Sequence, residues 1–444
     1  MATATAVQEL SATVSSPPEK YLLKDGIGGP NFPLLAVPAI DLGLLTASSP
    51  LGERELDKLK LAFSSCGYIQ VVNHGMDDSF LDEVHSVTKE FFSLPMEEKM
   101  QCARPKDDID GYGNDTVYSD NQTLDWNDRL YLNVKPDTIR KLKVWPQNPK
   151  NFRKVLLEFS GELEKMNEVI LRAMAKSLKL EDEECFVNQM GENQTVLSRF
   201  NLYPPCPRPD AVLAAKAHGD ASAMTYLLQD NKVEGLQTLM KDGQWYRVPI
   251  IHNAILVNTG DQLEIMSNGI FESPIHRVVT NPEKERITIA IFFGPDPTSE
   301  IGPHQGLIDE KRPKLFNSVR QGHKRVLFNN QSLDWNDRKV LRDYTAKLRE
   351  LEGQLLKAME ESLSLPEGSF LSKFGEEQSM FARFNYYPPC SKPDHVLGLK
   401  QHAGGSAMTT VLQDRDVLGL QILKDKQWYW VPTLPDAFLA CERG

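Results

Sequence analysis

The chain has 444 residues, of which 41% are hydrophobic and 25% charged. These values are typical of a globular protein that is large enough for two or three domains. The formal net charge of −11 argues against nucleic acid or an anionic membrane surface as the partner, because both attract basic surfaces.

The six cysteines are scattered along the chain, without a Cys-x-x-Cys pair. This pattern indicates reduced thiols and neither a disulfide framework nor a zinc site. The N-terminus has no basic region followed by an apolar run, so we expect no targeting peptide. The longest apolar stretches, such as residues 289–293, are too short to span a bilayer. We therefore expect a cytoplasmic protein, which is a monomer unless a repeat described below mediates association.

The first hundred residues are expected to be mainly helical. Residues 55–63 and 79–92 carry apolar side chains at helical spacing, and residues 152–180 have the pattern of a long amphipathic helix. From Val196 onward, short apolar runs alternate with turn residues, which predicts a series of strands. These strands are expected at residues 224–228, 236–239, 246–248, 254–258, 262–266, 277–280 and 287–293.

The strand pattern favours a β-sandwich or jelly roll over a parallel α/β sheet. Asp242-Gly243 and Asn268-Gly269 lie between apolar runs, where hairpin turns are expected. No Gly-x-Gly-x-x-Gly motif or phosphate-binding loop follows a strand, which weakens a nucleotide-binding interpretation. The expected fold class is α+β, with a jelly-roll core and flanking helices.

Three residues form a candidate metal site. His218 and Asp220 are two residues apart, so on a strand both side chains would point to one face, and His276 comes immediately before an expected strand. Two imidazoles and one carboxylate on one face of an octahedral metal leave three positions open, as in non-haem Fe(II) oxygenases. Zinc would instead favour a tetrahedral site.

Arg286 and Thr288 form a second pair at strand spacing. A guanidinium group matches a carboxylate with two parallel hydrogen bonds, and a threonine hydroxyl can add a third. A dicarboxylate with a 2-oxo acid at one end could chelate the metal while its far carboxylate reaches Arg286. Two open metal positions would then serve the oxo acid and one would serve O2.

Parts of the chain are repeated, but the second copy is incomplete. It contains His402 with Gly404 in place of a carboxylate, an arrangement found in iron halogenases, but it has no counterpart of His276 or Arg286. We therefore expect one working site and a non-catalytic second copy. The matching segments are 121–129 with 330–338, 199–206 with 383–390, and 218–224 with 402–408.

These motifs resemble the plant 2-oxoglutarate-dependent dioxygenases of specialised metabolism, the branch that includes flavonol and anthocyanidin synthases and opium-alkaloid demethylases. The resemblance spans about residues 7–320 and includes N-terminal signatures at residues 37–42, 67–75 and 91–95. It implies a double-stranded β-helix core and the cofactor Fe(II), with 2-oxoglutarate and O2 as co-substrates. Gly219, where the family usually has Ser or Thr, and Thr288, where it usually has Ser, are departures that leave the ligands intact.

The resemblance also implies roles for four further residues. Tyr203 and Asn201 would help to bind 2-oxoglutarate, and Phe292 and Tyr112 match positions that often line the substrate pocket. The expected domains are a helical N-terminal region at 1–105, a catalytic domain at 106–320 and the truncated second copy at 321–444.

The expected function is an oxygenase that hydroxylates, O-demethylates or desaturates a plant small molecule such as a flavonoid, alkaloid or hormone-like compound, with release of succinate and CO2. The alternative is a non-catalytic binding protein or an inactive fusion product that keeps the fold. A cupin-type metal-binding or storage protein is disfavoured, because Arg286 and Thr288 would have no purpose in it.

Overall fold

The computed structural model describes residues 6–23, 26–27, 32–105, 108–114, 123–316, 318–320, 335–374, 408–413, 419–425, 427–434 and 437–442. The chain divides into two compact units, Met1–Ser379 and Met380–Gly444. No helix in these described ranges combines the length and apolar character needed to cross a bilayer.

The α-helices of the described residues all belong to the first unit. They are α1 (Val7–Thr13), α2 (Leu42–Leu45), α3 (Pro50–Ser65), α4 (Asp78–Ser93), α5 (Met96–Met100), α6 (Phe152–Ser177), α7 (Cys185–Met190), α8 (Asp261–Met266), α9 (Trp335–Ser362) and α10 (Leu371–Phe374). The three helices expected before residue 181 are confirmed as α3, α4 and α6.

Two sheets form the core of the first unit, one with strand order β1-β2-β10-β7-β12-β5-β4-β3 and one with order β6-β11-β8-β9, and β13 pairs with β14. The strands are β1 (Ala39–Asp41), β2 (Tyr68–Val72), β3 (Gly111–Gly113), β4 (Asp128–Lys135), β5 (Thr195–Tyr203), β6 (Leu213–His218), β7 (Met224–Leu228), β8 (Leu236–Leu239), β9 (Trp245–Arg247), β10 (Ile255–Thr259), β11 (Ile275–Val279), β12 (Arg286–Gly294), β13 (Glu300–Ile301) and β14 (Val319–Arg320).

The large sheet separates a helix-covered hydrophobic core from the candidate site. Along β12, Ile289, Ile291 and Phe293 join the main core with residues of α4 and α6. The alternate residues of the same strand, which include Arg286 and Thr288, face the opposite side, because successive strand residues point to opposite faces. The small sheet packs on this second side through a separate apolar cluster. Two facing, mostly antiparallel sheets with external helices are the expected jelly-roll architecture.

The N-terminal helix α1 packs beneath the strands that carry the site. Val7 is fully buried, and the backbone N–H groups of Val7 and Gln8 donate to the Asp128 carboxylate at 2.9 and 2.7 Å. Ser11 Oγ donates to the Pro205 carbonyl at 2.7 Å, just after β5. Burial raises the pKa of Asp128 to about 6, although the two N–H groups oppose the shift.

Two local predictions were wrong. Residues 262–266 form part of helix α8, because Leu263 and Met266, one helical turn apart, are both buried in the core. Asn268-Gly269 ends this helix and makes no hairpin: Gly269 has a φ of +77° and donates its N–H to the Glu264 carbonyl at 2.8 Å. An Asn-Gly pair occurs both in hairpin turns and at helix C-termini, so this pair alone could not distinguish the two structures. Asp242-Gly243 does connect the paired strands β8 and β9.

The N-terminal region is less uniformly helical than expected, since β1 and β2 add two strands to the edge of the large sheet. In the second unit, strands β15 (Met408–Val411) and β18 (Leu439–Glu442) pair, as do β16 (Gln421–Lys424) and β17 (Gln427–Trp430). His402 and Gly404 lie outside the described residues.

Candidate active site

His218, Asp220 and His276 converge at one end of the small sheet. His218 ends β6 and lies directly opposite His276 in β11, with their ring centroids 4.3 Å apart. Asp220 lies beyond the end of β6, so the expectation that His218 and Asp220 point to the same face of one strand was wrong. Its carbonyl accepts the Asp261 N–H at 2.8 Å, which holds the turn after β6 against the start of α8. Potential ligand atoms of the three residues lie within 4.8 Å of one another.

Both imidazoles can offer the same nitrogen to a metal. His218 Nδ1 is 2.7 Å from the Lys216 carbonyl and His276 Nδ1 is 3.4 Å from the Pro274 carbonyl. An N–H donated at Nδ1 leaves the Nε2 lone pair available, which is how backbone carbonyls commonly orient metal-binding histidines. His276 Nε2 lies 3.8 Å from Asp220 Oδ1. The donor set of two imidazole nitrogens and one carboxylate oxygen suits Fe(II).

The protonation states also suit a metal site. Burial and the neighbouring His276 lower the pKa of His218 to about 4, so its imidazole is neutral near pH 7. Burial alone would raise the pKa of Asp220, but His276, His218 and two hydrogen bonds hold it below its ordinary value. Metal binding therefore does not require a proton to leave either residue.

Arg286 is a buried cation that fits a carboxylate ligand. It is 3% exposed; its Nε donates to the Val233 carbonyl at 3.1 Å, and its guanidinium carbon lies 5.3 Å from the centre of the Tyr203 ring. Its Nη2 is buried and has no hydrogen-bond partner in the described structure. Burial lowers the pKa of Arg286, which reflects the cost of a charge removed from water. A Cβ at Gly235 would lie 3.2 Å from Arg286 Cδ, so glycine leaves room for this side chain.

The other residues expected to bind the co-substrate lie beside Arg286. Tyr203 is paired with Arg286 and Asn201 with Thr288 across β5 and β12. Asn201 Nδ2 donates to Thr288 Oγ1 at 3.2 Å, so the Thr288 hydroxyl hydrogen can be donated to a ligand. Asn201 Oδ1 is buried without a hydrogen-bond partner among the described residues. The strand register thus brings all four predicted residues together.

The two residues expected at the substrate pocket are not brought together. Phe292 lies on the same face of β12 as Arg286, and its ring is nearly parallel to that of Tyr131, with centroids 6.5 Å apart. Tyr112 packs against Phe91 and Phe92 in the helix-covered core and is 4% exposed. The register explains the difference, because Tyr112 pairs with the core residue next to Tyr131 and therefore points away from the site.

Arg199 was not singled out in the sequence, yet it lies near the metal ligands. Its guanidinium carbon is 5.4 Å from the centre of the Tyr131 ring, and its charge contributes to the lowered pKa of His218. Arg199, Tyr131 and Phe292 therefore form an aromatic and cationic wall beside the site. The signal available in the sequence was the alternation of β5, which places Arg199 on the face that carries Asn201 and Tyr203.

Known proteins match this chain along most of its length. Residues 183–295 and 378–441 match the 2OG-Fe(II) oxygenase superfamily, and residues 37–148 match the family described as non-haem dioxygenase in morphine synthesis N-terminal. Protein SRG1 of Arabidopsis thaliana is 37% identical over 316 residues, which cover 70% of this chain and 88% of that protein. Codeine O-demethylase of Papaver somniferum is 38% identical over 321 residues, covering 71% and 89%.

A solved structure agrees with these matches. The crystal structure of JOX2 in complex with 2OG, Fe and JA superposes with a TM-score of 0.66 at 32% identity, covering 72% of this chain and 92% of that one. Three observations thus point to the same family: the jelly-roll core, the cluster of two histidines and an aspartate, and the relatives. This chain belongs to the 2OG-Fe(II) oxygenase superfamily and is an oxidoreductase that uses Fe(II), 2-oxoglutarate and O2.

Proposed function

We propose that the enzyme hydroxylates, O-demethylates or desaturates a plant small molecule and releases succinate and CO2. The observation that carries this proposal is the convergence of His218, Asp220 and His276 within 4.8 Å. We assign these three side chains to Fe(II). Arg286, Thr288, Tyr203 and Asn201 are assigned to 2-oxoglutarate, because their donors and buried polar atoms lie together on paired strands.

Bound Fe(II) and 2-oxoglutarate would activate O2 for the oxidation of a substrate C–H bond. The residues of the chain bind and orient the reactants. His218 and His276 present their Nε2 atoms, and Asp220 presents an ionised oxygen. Arg286 holds the distal carboxylate of the co-substrate with charge-assisted hydrogen bonds. Tyr131 and Phe292 give the substrate an apolar surface near the proposed metal ligands, since Phe292 lies opposite Thr225, which bonds Asp220.

The relatives support a small organic substrate and show a range of chemistries. They include codeine O-demethylase and thebaine 6-O-demethylase of Papaver somniferum and an oxoglutarate-dependent flavonoid 7-O-demethylase of Ocimum basilicum. Two others are jasmonate-induced oxygenases of Arabidopsis thaliana. We propose a substrate from the flavonoid, alkaloid or hormone-like classes, because an aromatic wall with an adjacent arginine suits planar molecules that carry oxygen substituents.

A substrate panel tests the proposal. Purified full-length protein with Fe(II), 2-oxoglutarate and ascorbate is incubated with methoxylated flavonoids, opium-type alkaloids and small carboxylic hormones. At least one compound is expected to raise succinate formation about tenfold or more above the substrate-free rate, equivalent to 1.4 kcal/mol of barrier lowering. Matching oxidised product by mass spectrometry confirms coupling. Intact binding of iron and 2-oxoglutarate with no turnover across the panel would favour the alternative of a non-catalytic binding protein.

We propose that residues 1–105 and 106–320 form the N-terminal and catalytic regions of the enzyme, and that 321–444 is a truncated, non-catalytic second copy. Residues 378–441 match the superfamily, but this stretch has no counterpart of His276 or Arg286. The repeat therefore supplies at most part of a metal site.

Two truncations test this division. A 1–320 chain and a 1–379 chain, which keeps α9 and α10, are both expected to retain turnover within about threefold of the full chain, a difference below 1 kcal/mol. The 1–379 chain ends at the boundary between the two compact units. Loss of activity in the 1–320 chain alone would assign a supporting role to α9 or α10. Loss in both chains would contradict the proposal that the second copy is dispensable.

We further propose a cytoplasmic monomer. Cys66, Cys102, Cys185 and Cys206 are free and buried, which suits a reducing compartment. The paired strands β16 and β17 in the second unit expose Trp428 and Trp430, and strands that expose large apolar side chains at a sheet edge can associate. Light scattering of the full chain and of the 1–379 chain would report any association that this unit causes.

A further inference from the structure

The two carboxylate oxygens of Asp220 have different surroundings. Oδ1 faces His276 Nε2 at 3.8 Å. Oδ2 accepts hydrogen bonds from Thr225 Oγ1 at 2.7 Å and from Asn258 Nδ2 at 2.9 Å. Thr225 and Asn258 are directly opposite each other on β7 and β10, so two neighbouring strands hold the same oxygen. The three side chains are 6%, 3% and 4% exposed, which leaves bulk water little access to this contact.

The hydrogen-bond directions in this cluster are determined by the hydrogens that each group carries. A threonine hydroxyl has one hydrogen, and an ionised carboxylate can only accept. Thr225 therefore donates to Asp220, and the 3.0 Å contact between Ser222 Oγ and Thr225 Oγ1 must use the Ser222 hydrogen. Asn258 donates its second amide hydrogen to the Thr259 carbonyl at 3.1 Å, which sets the orientation of the amide. The donors are thus pre-arranged before any metal binds.

We infer that Thr225 and Asn258 are positioning residues that make Asp220 bind the metal through Oδ1 alone. This inference rests on the proposed assignment of Asp220 as an iron ligand. A carboxylate bound through one oxygen leaves three of six octahedral positions open beside the two imidazoles. A carboxylate bound through both oxygens would occupy a fourth position. Chelation by the 2-oxo acid would then leave no position for O2, so the two donors keep the site reactive.

The sharpest test measures the metal site without turnover. Thr225→Val removes the hydroxyl at nearly constant shape, Thr225→Ser keeps it, and Asn258→Leu removes the amide. The metal-free full-length variants are titrated with Co(II), whose visible spectrum responds to the ligands that surround it. We expect Thr225→Val and Asn258→Leu each to weaken Co(II) binding about tenfold, as is common for residues that support metal ligands. The visible spectrum of the bound Co(II) should also shift in these two variants, whereas that of Thr225→Ser should stay close to that of the wild-type protein.

Two controls separate positioning from a general effect on folding. Ser198→Ala removes a fully buried hydroxyl from β5 that donates to the Leu132 carbonyl at 3.2 Å, away from the metal ligands. It should leave both the affinity and the spectrum unchanged. In an Asp220→Asn background, adding Thr225→Val should produce a much smaller change than in the wild-type protein, because the carboxylate that it orients is gone.

Failure of this inference can be distinguished from failure of the proposed function. A wild-type protein that binds no divalent metal would overturn both. A wild-type protein that binds Co(II), together with folded Thr225→Val and Asn258→Leu variants of unchanged affinity and spectrum, would overturn the positioning role alone. An equal loss in Thr225→Ser and Thr225→Val would also contradict it, because the hydroxyl would then not be the operative group.

Discussion

Replacing His276 with alanine is expected to eliminate iron binding and, with it, turnover. His276 supplies the Nε2 atom that lies 3.8 Å from Asp220 Oδ1 and faces the His218 ring across the β6–β11 pair. Without it, one imidazole and one carboxylate remain, and these hold Fe(II) weakly. Loss of a residue that only supports a ligand costs about 10–100-fold in metal affinity, so loss of the ligand itself should exceed about 100-fold.

The measurement is an anaerobic titration with Fe(II) and 2-oxoglutarate, followed by the metal-to-ligand charge-transfer band and by succinate formation in air. His252→Ala is the matched control, because His252 is an exposed histidine in a turn before β10. It should show the wild-type band and rate. A normal band in the His276→Ala protein would remove His276 from the proposed iron site.

The three candidate ligands could be named from the sequence, but the way in which the fold brings them together could not. His218 and Asp220 were expected to share a strand face, but β6 ends at His218 and Asp220 follows in a turn. The turn is held by the Asp261 N–H, which donates to the Asp220 carbonyl, and Asp261 lies forty-odd residues away. The local periodicity of the sequence cannot predict such a contact, because the contact depends on which distant segments the fold brings together.

Thr225 and Asn258 were not recognised as site residues in the sequence, and the physical reason is the same for both. Thr225 and Asn258 interrupt apolar strands, and a polar residue in a buried strand must find a hydrogen-bond partner. This much could be predicted, but the partner depends on the register between β7 and β10. The register of β3, β4 and β5 also explains why Tyr131 lies beside Phe292 whereas Tyr112 lies in the core. A shift of one residue would exchange the two faces of a strand.

Replacing Arg286 is expected to weaken 2-oxoglutarate binding and to leave metal binding nearly unchanged. Arg286 is 3% exposed, and its buried Nη2 has no hydrogen-bond partner in the described structure. Lysine keeps the charge but lacks the planar fork that matches a carboxylate, so Arg286→Lys should raise the KM for 2-oxoglutarate about tenfold. Arg286→Met also removes the charge and should raise it about 100-fold or more, since a hydrogen bond to a charged group contributes about 1.5–3 kcal/mol.

A structural role for Arg286 predicts a different outcome, which makes the test decisive. Burial of the Arg286 guanidinium costs free energy that the charge of Asp230 offsets only in part, and no ion pair with Arg286 is found among the described residues. An apolar side chain of similar length removes that cost. The Arg286→Met protein should therefore unfold at a temperature equal to or above that of the wild-type protein when both lack 2-oxoglutarate. A given concentration of 2-oxoglutarate should stabilise the wild-type protein much more than the Arg286→Met protein, since a ligand raises stability only as far as it binds the folded state. Arg312→Lys, at an exposed arginine paired with Asp309, should respond to 2-oxoglutarate as the wild-type protein does. Equal stabilisation of the Arg286→Met protein would show that the co-substrate carboxylate is held elsewhere.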